Sequence, residues 1–253
     1  MTTLADDARL ARRIADAAGA LLLTLRDTGL FDGKALGAAG DRVANAMILE
    51  ALKQDRPDDA VLSEESVDDL TRLERSRVWI VDPLDGTREY SEGRDDWAVH
   101  VALAVDGQAA VGAVALPALG VSFDSAAPPP LPTPNTPPRM LVSRSRPAPE
   151  AVAVAGQIGA ELLPMGSAGA KAMAVLRGQA DIYLHSGGQY EWDSCAPVAV
   201  ALAAGLHVSR IDGAAMRYNQ SDVYLPDLLI CRAEAADDLL ARVRRLNPAR
   251  SAA

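Results

Sequence analysis

The sequence contains few of the side chains that build zinc sites, disulfide frameworks or histidine-based catalytic triads. Of its 253 residues, two are cysteine and three are histidine. Cys195 and Cys231 lack the spacing of metal ligands and lie in apolar surroundings, so we expect reduced core thiols rather than a disulfide. His100 and His185 have no sequence neighbours of the kind that a zinc site or a Ser-His-Asp triad needs, and we expect both to be structural.

Long apolar runs are also absent. No uninterrupted apolar stretch is long enough to span a bilayer. The first helical pattern carries Asp6, Asp7, Arg9 and Arg12 among its apolar residues, which is unlike a signal peptide. The expectation is therefore a cytoplasmic protein with no membrane partner.

Basic residues are outnumbered by acidic ones. The chain has 25 Lys plus Arg against 34 Asp plus Glu, a formal net charge of −9 at pH 7. Such a surface repels the phosphates of nucleic acids, so no nucleic-acid polymer is expected as a partner. A small phosphorylated molecule needs locally bound cations to reverse this field, and a carboxylate-lined metal site supplies them.

The most informative segment is Asp82-Pro83-Leu84-Asp85-Gly86-Thr87, which follows the apolar, strand-like run 78–81. Its two carboxylates and the Leu84 carbonyl are oxygen ligands of the kind that hard divalent cations prefer. The amides of Gly86 and Thr87 open a helix, where they suit an anion. Metal and phosphate would then meet at one place. For this segment alone, an Asp-rich turn with a helix cap is the alternative.

Two other acidic segments lie upstream and downstream of this one. Glu64 and Glu65 follow a short apolar lead-in, and an extended backbone would point one of them toward the site and the other away. Asp193 stands just before an Ala/Val-rich helical run that ends at Gly205. By itself, Asp193 is more typical of a helix N-cap than of a metal ligand.

Glu-Glu, Asp-Pro-Leu-Asp-Gly-Thr and Trp-Asp in this order resemble the inositol monophosphatase superfamily of magnesium-dependent, lithium-sensitive phosphatases. The resemblance spans the whole chain. Within the superfamily, the chain is most similar to the bacterial CysQ branch, the 3'-phosphoadenosine 5'-phosphate phosphatases. The segments that carry this narrower resemblance are 62–66, 79–90, 95–100, 166–173 and 187–197.

The resemblance implies an α/β (α+β) fold, a layered αβαβα sandwich of the inositol monophosphatase and fructose-1,6-bisphosphatase type. It also implies a site for two or three Mg²⁺ ions, inhibited by Li⁺. The matched ligands are Glu64, Asp82, the Leu84 carbonyl, Asp85 and Asp193, with Asp82 bridging two ions. Two cations roughly 4 Å apart stabilise the attacking and the leaving oxygen of an in-line displacement.

Asp41 and Thr87 match the residues that orient and activate the attacking water in this superfamily. Many relatives have a Val-Thr pair shortly before that aspartate, whereas this chain reads Gly37-Ala38-Ala39-Gly40-Asp41. A helix N-cap is the alternative for Asp41. Gly86 and Thr87 are expected to bind the phosphate through their amides.

Three residues are candidates for contacts to the rest of the substrate. Ser143 and Arg144 resemble a segment that lies near the nucleotide in the nucleotide-cleaving branch, and a surface turn is their alternative. Lys171 adds a cation to a loop that commonly reads Gly-Thr-Ala in inositol phosphatases, which suits a substrate with a second phosphate. An exposed helix residue is its alternative. The segment 166–171 lacks the Walker spacing, which argues against nucleoside triphosphate binding.

The resemblance implies a 3'(2'),5'-bisphosphate nucleotidase that hydrolyses 3'-phosphoadenosine 5'-phosphate, and also its phosphosulfate, in sulfur assimilation. The partner is then a small phosphorylated nucleotide, and a homodimer is expected. Because the metal site alone does not distinguish phosphomonoesters, a broad inositol-1-monophosphatase or fructose-1,6-bisphosphatase stays open, as does a catalytically silent regulatory relative. The roles of Glu65, Tyr218 and Asn219 also stay open.

Hydrophobic spacing predicts the arrangement along the chain. Seven prolines in 126–138 exclude regular structure there and predict a connector between an N-terminal α+β domain with the metal site, residues 1–125, and a C-terminal α/β domain, residues 139–253. The expected helices are 4–25, one from near Asp41 to Pro57, 68–75, 148–158, 168–177, 197–204 and 235–246. The expected strands are 61–62, 78–81, 98–105, 109–116, 140–143, 180–184 and 228–231.

Overall fold

The computed structural model describes residues 3–246, which form seven α-helices and ten strands. The helices are α1 (Leu4–Asp27), α2 (Gly33–Asp55), α3 (Thr87–Ser91), α4 (Pro149–Ile158), α5 (Ala168–Leu176), α6 (Glu191–Ala203) and α7 (Ala236–Leu246). The strands are β1 (Ala60–Ser63), β2 (Arg77–Asp85), β3 (Ala98–Val105), β4 (Gln108–Leu116), β5 (Val121–Asp124), β6 (Arg139–Ser143), β7 (Glu161–Met165), β8 (Ile182–Tyr190), β9 (His207–Ser209) and β10 (Tyr224–Cys231). None of these helices is both long and apolar enough to cross a membrane.

The strands form two five-stranded sheets. The first has the order β1-β2-β3-β4-β5; β1 and β2 are parallel, and the other pairs are antiparallel. The second has the order β7-β6-β8-β10-β9; β6 runs parallel to both of its neighbours, whereas β10 is antiparallel to β8 and β9. Strands that follow one another in the sequence are therefore neighbours throughout the first sheet.

Helices and sheets alternate in five layers. Helices α1 and α2 cover the outer face of the first sheet, where Leu22, Ile48 and Trp79 are buried. Helices α5 and α6 lie between the two sheets, in a core that includes Met173 and Val200. Helices α4 and α7 cover the outer face of the second sheet. The layers therefore run α-β-α-β-α, which confirms the predicted fold class.

The strand β2 is buried on both faces, which explains its uninterrupted apolar run. Val78 and Ile80 belong to the core between the sheets, whereas Trp79 and Val81 belong to the outer core. Successive side chains of a strand point to opposite faces. An apolar run without polar alternation is therefore what a strand between two helical layers requires.

Two helices begin earlier than the sequence predicts. Helix α2 starts at Gly33 rather than near Asp41, and α6 starts at Glu191 rather than at Pro197. A proline is typical of the first turn of a helix, but Pro197 lies inside α6. The six residues 191–196 that precede it therefore form helix and not loop.

Two glycines of α2 lie before the predicted start near Asp41. Gly37 and Gly40 are both within the helix. An added Cβ at Gly37 would press on the Thr87 side chain at 2.7 Å, and one at Gly40 would approach Leu84 at 3.0 Å. These glycines let α2 pack closely against the end of β2 and against α3.

Sequence patterns missed three strands, and all three lie at sheet edges: β5, β7 and β9. Pro164 lies in β7, where an edge position tolerates the missing amide. The strand β8 extends to Tyr190, well past the predicted end at Leu184. Its later part contains Gly187 and Gly188, which suggest a loop in the sequence but form an irregularity in the pairing with β10.

The proline-rich segment 126–138 contains no helix or strand, as its composition predicts. It joins the two sheets. The core between the sheets draws on both sides of it, for example through Ile80 and Leu141. The division into two domains stays a prediction. Cys195 and Cys231 are buried and free, which confirms the expected core thiols.

Gly112→Ala is expected to lower the free energy of unfolding by about 1–3 kcal/mol, the usual cost of overpacking a tight interior. Gly112 lies in β4 beneath α6, where an added methyl group would meet the Ala196 carbonyl oxygen and, at 2.9 Å, the Ala199 Cβ. Because backbone blocks the methyl group, α6 and its N-terminal residues would have to move. Chemical denaturation measures the change.

Gly156→Ala is the matched control. Gly156 lies inside α4, and an added Cβ there meets no heavy atom within 4 Å. The change should be neutral or stabilising by up to about 1 kcal/mol through helix propensity. A Gly112→Ala variant as stable as the wild type would contradict the close seating of α6 on β4.

Candidate active site

Three aspartates from distant parts of the sequence meet at one point of the fold. Asp82 and Asp85 lie near the end of β2, and Asp193 lies in the first turn of α6. One carboxylate oxygen from each lies within 4.8 Å of the others. Glu64 follows β1, and its amide donates to the Val81 carbonyl at 3.2 Å. We call Glu64, Asp82, Asp85 and Asp193 the acidic cluster.

Asp82 is enclosed by protein and makes few bonds to it. It is 1% exposed, and its Oδ1 accepts a hydrogen bond from the Leu84 amide at 3.0 Å. The pairing of β2 with β3 is irregular between Asp82 and Asp85. In this irregular stretch, the Leu84 carbonyl accepts a hydrogen bond from the Thr87 hydroxyl at 3.1 Å.

Asp85 is anchored by the start of α5. Its Oδ2 accepts from the Ser167 hydroxyl at 2.5 Å and from the Gly169 amide at 2.6 Å, and its Oδ1 accepts from the Ala168 amide at 3.1 Å. The free amides of a helix N-terminus stabilise a carboxylate in this position. Asp85 thus joins β2 to the helical layer between the sheets.

His100, which we expected to be structural, contacts the acidic cluster. Its Nε2 lies 3.2 Å from Asp85 Oδ2, and its Nδ1 lies 3.0 Å from the Trp192 carbonyl oxygen. A side chain at Gly169 would run into the ring. Sequence reasoning missed this contact because it depends on strand register, which places His100 opposite Asp82.

Crowding and burial shift the carboxyl pKa values of the acidic cluster. Burial, followed by the charge of Glu64, holds the pKa of Asp82 well above its usual range. Burial and the charge of Asp85 raise the pKa of Asp193 to about 6, and burial together with nearby carboxylates raises the pKa of Glu64 to about 7. Burial also opposes ionisation of Asp85. His100, together with the hydrogen bonds from Ser167 and Gly169, outweighs this effect and lowers the pKa of Asp85 to about 2.

The acidic cluster fits a hard divalent cation. Mg²⁺ takes oxygen ligands, and carboxylates are its usual protein partners. The raised pKa values of Asp82 and Asp193 show that repulsion and burial oppose ionisation of this group. A bound cation would remove that opposition, because its charge favours the ionised carboxylates. The residues that would hold it are those of the acidic cluster.

Asp41 and Thr87 come together beside the acidic cluster. Thr87 Oγ1 lies 3.3 Å from Asp41 Oδ1 and 3.1 Å from the Leu84 carbonyl oxygen. Asp41 lies inside α2, whose N-cap is Asp32, so the helix-cap alternative for Asp41 is wrong. Burial, followed by the charge of Glu65, raises the pKa of Asp41 to about 7. The catalytic roles of Asp41 and Thr87 stay predictions.

Gly86 needs to be glycine where it stands. Its φ of +90° lies in the left-handed region, and an added Cβ would come within 3.2 Å of the Ser167 Cβ. Helix α3, which follows, has only five residues. So short a helix has little macrodipole, and the predicted phosphate binding would rest on hydrogen bonds from the Gly86 and Thr87 amides.

A cavity of about 380 Å³ opens at the acidic cluster. Its volume is in the range of small-molecule sites. Besides Glu64, Asp85 and Asp193, its lining contains the predicted substrate-binding residues Gly86, Ser143, Arg144 and Lys171. The fold therefore brings three predicted metal ligands and four predicted substrate-binding residues to one cavity. Asp41, Asp82, Leu84 and Thr87 are not among its lining residues. Contacts with a substrate stay predictions.

Arg144 is engaged in two ion pairs. Its Nε donates to Glu89 at 2.6 Å, and its Nη2 donates to Glu92 at 2.7 Å. These bonds join the loop after β6 to α3 and the residue that follows it. The Ser143 hydroxyl accepts from the Arg146 amide at 3.2 Å. A substrate would have to share the Arg144 guanidinium with two carboxylates.

Lys171 is buried rather than exposed, so the alternative of an exposed helix residue is wrong. It is 5% exposed. Its ammonium donates to the Ser167 carbonyl at 2.6 Å and to the Gly166 carbonyl at 3.0 Å, and it lies 5.3 Å from the centre of the Tyr183 ring. Lys171 therefore holds the loop that anchors Asp85, whatever it contributes to substrate binding.

The residues left without a role have different environments. Tyr218 is fully buried and its hydroxyl lies 3.2 Å from the Ser194 hydroxyl. Asn219 adopts a positive φ of 58°, and its backbone amide donates a hydrogen bond to the Glu191 carboxylate at 2.6 Å. Both contacts stabilise the turn beside α6. Glu65 is exposed.

A model of the inositol monophosphatase family matches residues 10–128 and 136–248. The chain belongs to this family. The resemblance predicted from the order of the acidic motifs is thereby confirmed.

Relatives within the inositol monophosphatase family include bacterial nucleotide phosphatases. The chain is 50% identical over 255 residues to the 3'-phosphoadenosine 5'-phosphate phosphatase of Mycobacterium leprae, a match that covers 95% of this chain and 94% of that protein. It is 52% identical over 241 residues to the protein of the same name from Mycobacterium tuberculosis, covering 89% of each. It is 31% identical over 207 residues to the 3'(2'),5'-bisphosphate nucleotidase CysQ of Escherichia coli, covering 74% of this chain and 81% of that protein.

Solved structures of the family share the fold. CysQ from Bacteroides thetaiotaomicron gives a TM-score of 0.76 at 24% identity and covers 89% of this chain and 97% of that chain. Inositol monophosphatase from Anabaena gives a TM-score of 0.76 at 22% identity and covers 99% of this chain and 100% of that chain.

Asp82→Asn is expected to abolish stabilisation by Mg²⁺ while leaving the metal-free protein at least as stable as the wild type. The amide keeps the side-chain volume and removes a charge that the cation needs. In the wild type, Mg²⁺ at about 100 times its Kd should add about 2.7 kcal/mol, roughly 5–10 °C in Tm for a chain of this size. Scanning fluorimetry with and without Mg²⁺ measures both effects.

Asp181→Asn is the control for this change. Asp181 is also buried, and it accepts hydrogen bonds from the Asn135 and Arg139 amides at 2.9 Å. Its replacement should lower the Tm but preserve the Mg²⁺ response. A wild-type Mg²⁺ response in Asp82→Asn would contradict the metal site.

The rise in Tm caused by Mg²⁺ should grow between pH 6 and pH 8. The pKa of Glu64 is raised to about 7 and that of Asp193 to about 6. At pH 6, Glu64 is therefore largely protonated and Asp193 is half protonated, whereas both are mostly ionised at pH 8. A protonated carboxyl does not bind the cation, so affinity increases with pH. A Mg²⁺ effect that is constant over this range would show that these two carboxyls take no part.

Proposed function

We propose that this protein is a magnesium-dependent phosphatase that hydrolyses 3'-phosphoadenosine 5'-phosphate to adenosine 5'-monophosphate and phosphate. The observation that carries the proposal is the cluster of Asp82, Asp85 and Asp193, of which Asp85 and Asp193 line a cavity that also contains the predicted nucleotide contacts. The substrate class is supported by the names of mycobacterial relatives that are 50% and 52% identical.

The acidic cluster is assigned to metal binding. When bound there, Mg²⁺ supplies positive charge that offsets the charge of the phosphate and of the attacking and leaving oxygens. The chain's part is to hold Glu64, Asp82 and Asp193 close together, with Asp82 buried and Glu64 exposed. Asp85 is held in place by Ser167 and Gly169.

Asp41 and Thr87 are assigned to the attacking water. The Thr87 hydroxyl has one proton and donates it either to Asp41 or to the Leu84 carbonyl, so its oxygen is free to accept a hydrogen bond from water. With its pKa raised to about 7, Asp41 is suited to accept the proton that the water loses near neutral pH.

The remaining cavity residues are assigned to the phosphate and the nucleoside. The amides of Gly86 and Thr87 are assigned to the phosphate oxygens. Ser143 and Arg144, which line the cavity, are assigned to the rest of the substrate. Lys171 adds positive charge to the cavity wall from its buried position. The 5'-phosphosulfate form of the substrate fits the same assignment.

Three further properties belong to the proposal through the family resemblance. They are inhibition by Li⁺, a homodimer and a cytoplasmic role in sulfur assimilation. A cation with one charge would occupy a magnesium position without supplying the same field.

A substrate panel tests the proposed function. With Mg²⁺, the purified protein should hydrolyse 3'-phosphoadenosine 5'-phosphate with a kcat/KM at least about tenfold higher than that for inositol 1-phosphate or fructose 1,6-bisphosphate. Equal or reversed values would favour the broad sugar-phosphate alternative. Turnover of none of the three would favour a regulatory relative.

Thr87→Ala should lower kcat by about 100-fold and change KM much less, because the lost hydroxyl orients the attacking water rather than binding the substrate. Thr87→Ser keeps the hydroxyl and should retain most of the turnover. Steady-state kinetics at saturating Mg²⁺ compares the variants. A raised KM with unchanged kcat in Thr87→Ala would place the hydroxyl in phosphate binding instead.

A further inference from the structure

Gln189 has a buried amide that bonds to nothing in residues 3–246. The residue is 6% exposed, and neither Oε1 nor Nε2 has a hydrogen-bond partner. An amide offers two donors and an acceptor, and burying them unpaired is costly. Among the described residues, no other side chain leaves two polar atoms unsatisfied. A buried group in this state needs an explanation beyond folding.

The register of β8 places Gln189 on the wall of the active-site cavity. Gln189 lies opposite Leu225 and His185 opposite Leu228, and both leucines belong to the core between the sheets. Residues directly opposite one another on antiparallel strands share a face. Gln189 and His185 therefore share the face of β8 that is turned toward α5 and α6, and both line the cavity.

Aromatic side chains line the same cavity as this amide. Tyr190 and Trp192 also line the cavity; their rings are stacked, with centroids 4.9 Å apart and planes 16° from parallel. Tyr224 meets Tyr190 edge-on at 6.1 Å. Tyr190 and Tyr224 are each 46% exposed. Flat apolar surface beside a buried amide suits a planar heterocycle with a polar edge.

The β8 part of the wall is uncharged. The strand contains no Asp, Glu, Lys or Arg. Burial, followed by the charges of Lys171 and Arg146, lowers the pKa of His185 and so favours its neutral ring. An uncharged surface with an amide favours a neutral base over a phosphate group.

We propose that the wall formed by His185, Gln189 and Tyr190 of β8 and Trp192 of α6 binds the purine base of the nucleotide, with the Gln189 amide hydrogen-bonded to the N6/N7 edge of the base. This inference rests on the proposed function and names the part of the substrate that this wall selects. On the edge formed by its N6 amino group and N7, adenine presents a donor beside an acceptor, and a glutamine amide pairs with both at once. Hypoxanthine presents two acceptors on this edge. A polyol phosphate has no flat face for the aromatic rings.

The test compares Gln189→Met with the wild type on two nucleotides that differ only in the base edge. They are 3'-phosphoadenosine 5'-phosphate and 3'-phosphoinosine 5'-phosphate, in which an acceptor replaces the amino donor. Methionine keeps the length of the side chain and removes its polar atoms. The wild type should prefer adenine by about tenfold or more in kcat/KM, and the variant should lose this preference.

A second readout needs no substrate. Removing an unpaired buried amide should raise the Tm of Gln189→Met, whereas removing an amide that bonds within the protein should lower it. Gln179→Met is the matched control, because Gln179 is exposed in the turn after α5 and does not line the cavity. It should leave the Tm and the base preference as in the wild type.

Several outcomes would overturn the inference. An unchanged adenine preference in Gln189→Met would do so, as would equal losses on both nucleotides or a lowered Tm. If the wild type hydrolysed neither nucleotide, the proposed function itself would fail. Calorimetric binding of adenosine and inosine 5'-monophosphates would then decide base recognition, since a preference for adenosine that Gln189→Met abolishes supports the inference and any other result contradicts it.

Discussion

Mutual repulsion among carboxylates is the constraint on which the site depends. Burial and like charge oppose ionisation of Asp82 and Asp193, so the fold has to hold these groups together against their own electrostatics. It does so through rigid surroundings. Strand β2 is packed between helical layers on both faces, and Asp193 accepts a hydrogen bond from the Tyr190 amide at 2.6 Å as part of the cap of α6.

The start of α5 is the second element that keeps the site in shape. Its backbone amides donate hydrogen bonds to the Asp85 carboxylate. The Lys171 ammonium, one turn further along the helix, donates hydrogen bonds to the carbonyls of Gly166 and Ser167 in the same short segment. Small side chains are needed here, because His100 leaves no room for a Cβ at Gly169.

Local patterns predicted the central strands, whereas the layers and the convergence of the acidic residues were implied by the family resemblance. Uninterrupted apolar runs identify β2 and β3, and acids at strand and helix ends identify the cluster. Contacts that depend on register or on close packing were not predictable. The approach of His100 to Asp85 and the burial of Lys171 arise from strand pairing and tertiary packing. The start of α2 was predicted too late, and the close contacts of Gly37 and Gly40 with other elements likewise arise from tertiary packing.

Anomalous diffraction from crystals soaked in Mn²⁺ tests the central claim most directly, because Mn²⁺ takes the same oxygen ligands as Mg²⁺ and scatters anomalously. The account predicts at least one strong peak among the carboxylates of Asp82, Asp85 and Asp193, with Glu64 at its edge. Peaks elsewhere on the molecule and none in this cluster would contradict it.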